Sequence, residues 1–267
     1  MHQPRRRRTQ ARGGRAAAWL ARGGARAGAA RTGAARRGAR SGAGGSGVIP
    51  AAAAPEVVLE AQALAHRYAG RRGLEPVSFS VRAPGAVAVC GANGAGKSTL
   101  LRIVAGLLRP SHGRLRLAIG GRELPPEARR HVVGLASPEL QFYDEFTVLE
   151  NLRFAGEARG LGAPTEAAMR ALERVGLESR AHDRVPALSS GMKQRLRLAF
   201  AVLGEPPVLM LDEPGSHLDD AGRDAVRALV AEGKRRGLVL VATNEESERR
   251  LGDERIELRG GGLGRPA

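Results

Sequence analysis

The sequence predicts an α/β fold, a mainly parallel sheet flanked by helices, on three observations. Beyond Glu56, short β-rich runs alternate with stretches of helical periodicity. The runs Val208–Asp212 and Leu238–Thr243 are almost continuously apolar, as strands covered on both faces must be. A glycine-rich loop, residues 91–96, stands directly between a strand-like run and a helix-like one.

Taken in order, residues 57–61, 76–81 and 86–90 read as strands, and residues 97–107 as a helix opened by the glycines. Strands follow at 115–119 and 132–136. Two helical segments cover 148–159 and 165–175, and a third, 191–203, places Met192, Leu196, Ala199, Phe200 and Leu203 on one face. After the strand Val208–Asp212, a helix over 220–236 turns Ala225, Val226, Leu229 and Val230 inward, and Leu238–Thr243 is a further buried strand. No internal repeat is visible, which argues against a tandem duplication.

The chain has 267 residues, 42% of them hydrophobic, which suits one large domain with a tail. Of the formal charge of +16, +12 comes from 12 Arg before the first acidic residue, Glu56, which leaves +4 for residues 56–267. The basic pI therefore describes the tail, and nucleic-acid binding is not expected of the folded part. Residues 1–47 are almost wholly Arg, Ala and Gly, a composition expected to be disordered, with residues 48–55 as a linker. An inert extension or a start codon assigned too early, a targeting segment resembling an organelle transit peptide, and a basic arm for RNA or anionic lipid all stay open. Cys90 is the only cysteine, which excludes an intrachain disulfide and suits a reducing compartment. No apolar run reaches 18 residues, so any membrane role is expected through a partner.

Gly91, Ala92, Asn93, Gly94, Ala95, Gly96, Lys97, Ser98 and Thr99 match the phosphate-loop pattern G-x-x-x-x-G-K-[ST] between a strand and a helix. Glycines let backbone N–H groups converge on phosphates, and the helix N-terminus adds partial positive charge. Lys97 is expected to reach the β- and γ-phosphates of ATP, and Ser98 to give a hydroxyl to Mg²⁺. Only three Lys stand in the chain against 40 Arg, and one occupies the required place. The strand Val208–Asp212 ends in two carboxylates. Asp212 is expected to hold Mg²⁺ through water, and Glu213 to orient or deprotonate the attacking water.

Leu188-Ser189-Ser190-Gly191-Met192, followed by Lys193-Gln194-Arg195, resembles the signature sequence of the ATP-binding-cassette (ABC) family. An isolated Ser-Ser-Gly would read as a helix N-cap, but its place before the acidic strand end favours the signature. The resemblance covers residues 57–258. It implies a P-loop NTPase core with an N-terminal antiparallel β subdomain and a small helical subdomain at about 138–190. It also implies a head-to-tail dimer, homomeric or heteromeric, in which Ser189 and Gly191 of one protomer close over the γ-phosphate held by the other. Tyr68 lies where an aromatic ring stacks on adenine, with core filler as the alternative. Ser216-His217-Leu218-Asp219 resembles the dimer-contacting D-loop, and Asp219 also suits an N-cap.

Two positions depart from the family pattern. The glutamine linking the γ-phosphate to the transmembrane partner falls near Pro138 or Glu139, neither of which is Gln, although Gln141 lies close. The switch histidine is replaced by Asn244, which can donate one hydrogen bond to a γ-phosphate oxygen but carries no charge. Residues 142–152 resemble the segment that faces a membrane partner in transporter cassettes. Their Thr-Val-Leu-Glu-Asn-Leu-Arg-Phe stretch looks like that of the cytochrome c maturation haem exporter. Together these features imply an ATPase subunit at the cytoplasmic face of a membrane, working with a transmembrane permease, with an ATP-binding switch of little turnover and a soluble non-transport cassette as the alternatives.

Overall fold

The computed structural model describes residues 55–69 and 71–258. The expectations for residues 1–47 and for nearly all of the 48–55 linker lie outside the described residues. Nine strands and seven α-helices follow in the described chain. The first half runs β1 (Val57–Tyr68), β2 (Arg71–Ala83), β3 (Gly85–Cys90), α1 (Lys97–Val104), β4 (His112–Ile119), β5 (Arg122–Glu123), α2 (Pro126–Arg129) and β6 (Val133–Ala136). The second half runs α3 (Val148–Ala158), α4 (Pro164–Glu173), α5 (Ser190–Val202), β7 (Val208–Asp212), α6 (Asp220–Arg236), β8 (Leu238–Thr243), α7 (Glu246–Arg249) and β9 (Glu254–Glu257).

Two sheets result. An antiparallel sheet has the order β2-β1-β4-β5, and a parallel one the order β6-β7-β8-β3-β9. The parallel strands show why an apolar run without alternation is needed at the centre. Leu209 and Leu211 of β7, with Val239 and Val241 of β8, enter one core packed by α3 to α6. Their neighbours Val208, Met210, Leu238 and Leu240 enter a second core, shared with α1 and the antiparallel sheet. Successive side chains point to opposite faces, so a sheet with helices on one side and a second sheet on the other requires apolar residues at every position.

The sequence-derived bounds of β7, α6 and β8 match the structure. Others differ for local reasons. β1 is 12 residues long because Ala63, at φ 46°, absorbs an irregularity in the pairing while its N–H donates to Ser78 Oγ at 2.8 Å. Such an irregularity interrupts the period-2 pattern of a strand, so the residues beyond it do not continue the run that begins at Val57. β2 runs through Pro76, which is tolerated because β2 is an edge strand. Helix α1 ends before residue 107: the N–H of Gly106 donates to Ile103 and that of Leu107 to Arg102, a Schellman closure. β5, α2, α7 and β9 had no counterpart among the expected elements. All are two to four residues long and mostly polar, too short for a period to show.

Candidate active site

Strand register sets the site. β8 lies between β3 and β7, with Cys90 opposite Thr243 and Asp212 opposite Ala242. The residues that follow these ends, Gly91, Asn244 and Glu213, therefore emerge side by side along one edge, the place where parallel α/β sheets bind ligands.

At this edge the chain enters α1 through Gly96, which takes the left-handed φ of 100°. Lys97 is buried at 6% exposure. Its Nζ donates to the carbonyls of Gly91 at 2.9 Å and Ala92 at 3.3 Å, and lies 3.9 Å from Glu213 Oε1. The cation is thus held inside the curve of its own loop, where a phosphate would meet it together with the free N–H groups of α1. Gly94 lies open and Ala95 is packed inward.

Asp212 is 3% exposed. Burial pushes its carboxyl above the usual carboxylate range, partly offset by a hydrogen bond with Ser98. Its Oδ1 is buried and has no hydrogen-bond partner. A buried carboxylate oxygen left free, next to a hydroxyl that opens a helix, is a hard-oxygen donor set that fits Mg²⁺. Next to it, Glu213 adopts φ 49°, in the left-handed region that few non-glycine residues occupy. Its N–H donates to Ala242 at 2.8 Å, and its carbonyl accepts from Gln194 Nε2 at 3.4 Å. Backbone strain held in place by surrounding bonds is a recurring property of functional positions.

Tyr68 and Asn244 fall beside the same loop. The hydroxyls of Tyr68 and Thr99 are 3.4 Å apart, which brings the half-exposed ring beside the start of α1. His66 meets that ring edge-on at a centroid distance of 4.5 Å. Asn244 Nδ2 donates to Asn93 Oδ1 at 2.9 Å, so the residue in the place of the switch histidine is tied to the phosphate loop. Glu139 forms an ion pair with Arg102 on α1, while Gln141 is exposed.

The signature residues lie elsewhere in the chain. Ser189 caps α5 by accepting from the Met192 N–H at 3.2 Å. A Cβ added to Gly191 would stand 2.8 Å from the His217 carbonyl oxygen, so the start of α5 packs tightly on the loop after β7. That loop is gripped by residues to which the sequence reading assigned no role. Gln194, 3% exposed, donates to the carbonyl of Pro214 at 3.1 Å, and Arg195 pairs with Asp219 at 2.5 Å. Asp219 in turn caps α6. The run Lys193-Gln194-Arg195 was visible beside the signature, but nothing in its spacing pointed to the loop after β7.

Comparison with known proteins identifies the family. A family model described as ABC transporter matches residues 74–216, more than half of the chain. The ABC transporter ATP-binding protein YxlF of Bacillus subtilis strain 168 is 40% identical over 189 residues, covering 70% of this chain and 62% of its own length. Nod factor export ATP-binding protein I of Paraburkholderia xenovorans strain LB400 is 38% identical over 206 residues, covering 73% of this chain and 66% of its own. The chain thus spans under two thirds of the length of these relatives. A solved ATP-binding subunit of an ABC transporter superposes with a TM-score of 0.66 at 32% identity, covering 77% of this chain and 88% of that one. The chain belongs to the ABC transporter family and carries its ATP-binding domain.

Proposed function

We propose that the chain binds and hydrolyses ATP to drive export of a substrate through a separate membrane permease. The observation that supports this most is the meeting of three strand ends, which puts Lys97, the Ser98–Asp212 pair and Glu213 around one point. Lys97 and the N-terminal N–H groups of α1 would take the β- and γ-phosphates and offset their charge. Ser98 and Asp212 would hold Mg²⁺, which when bound adds Lewis-acid charge at the same phosphate oxygens. Glu213 would take a proton from the attacking water as its oxygen bonds to the γ-phosphorus and the bond to the ADP oxygen breaks. Tyr68 would stack on adenine and Asn244 would donate to the γ-phosphate.

In this reading residues 56–267 form the nucleotide-binding domain, with residues 138–190 as its helical subdomain. Ser189 and Gly191 would complete the site of a second protomer, in a homodimer or heterodimer. The permease would hold the dimer at the cytoplasmic face of the membrane, since no helix among the described residues is long and apolar enough to cross it. The +4 charge of residues 56–267 gives no reason to add a nucleic-acid partner. A relative that exports Nod factor supports export as the direction of transport, in preference to assigning the cytochrome c maturation type. A second reading, an ATP-binding switch with little turnover, is favoured by Glu139 and Asn244 at the two departed positions. Steady-state turnover of the purified protein separates the two readings.

Two variants test the site. Lys97→Ala is expected to lose tight ATP binding, and Glu213→Gln to keep binding while trapping an ATP-bound dimer. Unchanged ATP affinity in the first or unchanged turnover in the second would overturn the corresponding role.

A further inference from the structure

We propose that Glu248 is a positioning residue for ATP turnover: its carboxylate clamps the turn that presents Glu213 to the end of β8, beside Asn244. The proposal rests on Glu213 acting as the base.

Glu248 lies on α7 and is 6% exposed, far from the usual setting of a glutamate. Its Oε1 accepts from the Gly215 N–H at 2.6 Å, and its carboxylate also accepts from the Thr243 hydroxyl. Thr243 is the last residue of β8, and Gly215 is two residues beyond Glu213. One side chain therefore ties together the ends of two neighbouring strands. The fit is close: a Cβ added to Gly215 would stand 2.3 Å from Glu248 Oε1.

Nearby charges do not account for a carboxylate here. Glu245 opposes its ionisation, Arg223 favours it, and these two already pair with each other at 3.3 Å. Burial outweighs them and pushes the Glu248 carboxyl above its ordinary range. An apolar side chain would fill the same space without the cost of desolvating a carboxylate. What it could not do is accept from Gly215 and Thr243 together. The clamped turn also receives Gln194 at the carbonyls of Glu213 and Pro214, and its Leu218 N–H donates back to Gly215 at 3.1 Å. Glu248 supplies the hold from the β8 side. Without it, the strained backbone of Glu213 (φ 49°) keeps its bond to Ala242 but loses the anchor two residues on.

The test uses the full chain and measures ATP turnover, affinity for a fluorescent ATP analogue and thermal midpoint. Glu248→Ala is expected to lower kcat by about 10-fold or more while ATP affinity stays within about threefold, because the lost bond lies outside the phosphate loop. Glu248→Gln keeps an acceptor oxygen and should recover most of the rate. Gly215→Ala leaves Glu248 in place but wedges the clamp open, and should reproduce the loss. The double variant Glu248→Ala/Gly215→Ala should be no slower than the slower single variant, since both break one contact. Wild-type kcat in Glu248→Ala, losses that multiply in the double variant, or a parallel loss of ATP affinity would each overturn the proposal. Full turnover in Glu213→Gln would overturn the base role itself. An impaired Glu213→Gln beside a fully active Glu248→Ala would overturn the Glu248 proposal alone.

Discussion

Asn244 shows how a single residue can be read partly from sequence and partly only from structure. Its place after β8 is legible, and so is its neutral amide where the family keeps an imidazole. Its partner is not, because the bond to Asn93 Oδ1 joins residues 151 positions apart. That bond leaves the amide beside the glycine-rich loop, consistent with the proposed hydrogen bond to the γ-phosphate. A hydrogen bond to a charged group contributes about 1.5–3 kcal/mol, so its loss in the transition state should slow hydrolysis roughly 10- to 150-fold. Asn244→Ala is expected to lower kcat in that range with little change in ATP affinity, while Asn244→His should be tolerated. An Asn244→Ala enzyme with wild-type turnover would mean that another group holds the γ-phosphate. Lys97, Ser98, Asp212 and Glu213, which meet in the structure, were more legible, since the pattern expected for phosphate and magnesium binding fixes residue types at a helix start and a strand end. Glu248 was hidden because its partner is a backbone N–H, and a backbone N–H leaves no mark on residue type.

At the level of elements, the long buried strands and helices were readable from apolar periodicity, whereas the connection between β6 and α3 was not. Its order comes from one side chain. Asn151, 5% exposed, accepts from the Tyr143 N–H at 2.8 Å and donates to the carbonyls of Tyr143 at 3.1 Å, Thr147 at 2.9 Å and Phe146 at 3.4 Å. A polar residue on an amphipathic helix ordinarily reads as solvated, so the sequence disguised it. The next turn of the same corner is closed by a capping box, in which Glu150 accepts from the Thr147 N–H and Thr147 accepts from the Glu150 N–H. Asn151→Ala leaves the Tyr143 N–H and the Phe146 carbonyl without their side-chain partner, while the carbonyls of Tyr143 and Thr147 keep only their backbone donors, Phe146 and residue 151, at a cost of about 1–3 kcal/mol. The thermal midpoint should fall by roughly 2–4 °C per kcal/mol lost, and protease cleavage within 141–147 should accelerate. An unchanged midpoint and cleavage rate would show that the corner is ordered without Asn151. The cap has its own pH signature. The Thr147 backbone bond lowers the Glu150 pKa, so its contribution is present above the ordinary glutamate value of 4.5 and is lost as pH falls through the lowered one.

For the molecule as a whole, the balance of charge changes at Glu56, close to where the described residues begin. Before Glu56 lie 12 Arg and no acidic residue, and from Val57 onward most buried apolar side chains enter one of two cores. β1 closes its sheet by pairing with β2 on one side and β4 on the other, from Val57 itself. Every residue proposed to touch nucleotide or Mg²⁺ lies between Tyr68 and Asn244, and the contacts from Lys97 to Glu213 and from Asn244 to Asn93 fall within the same span. The Arg, Ala and Gly composition of residues 1–47 is not expected to add to either core. Their removal is therefore expected to leave the thermal midpoint within about 2 °C, which corresponds to less than about 1 kcal/mol for a domain of this size. Turnover per site should also be unchanged at 150 mM-scale salt, where charges more than about 8 Å apart are largely screened. Differential scanning calorimetry and steady-state ATPase assays of residues 48–267 against the full chain test both expectations. Truncation that lowers turnover at low salt and spares it at high salt would give the basic arm a screened electrostatic role in the cassette. A fall in midpoint at either salt would place part of the extension in the folded core.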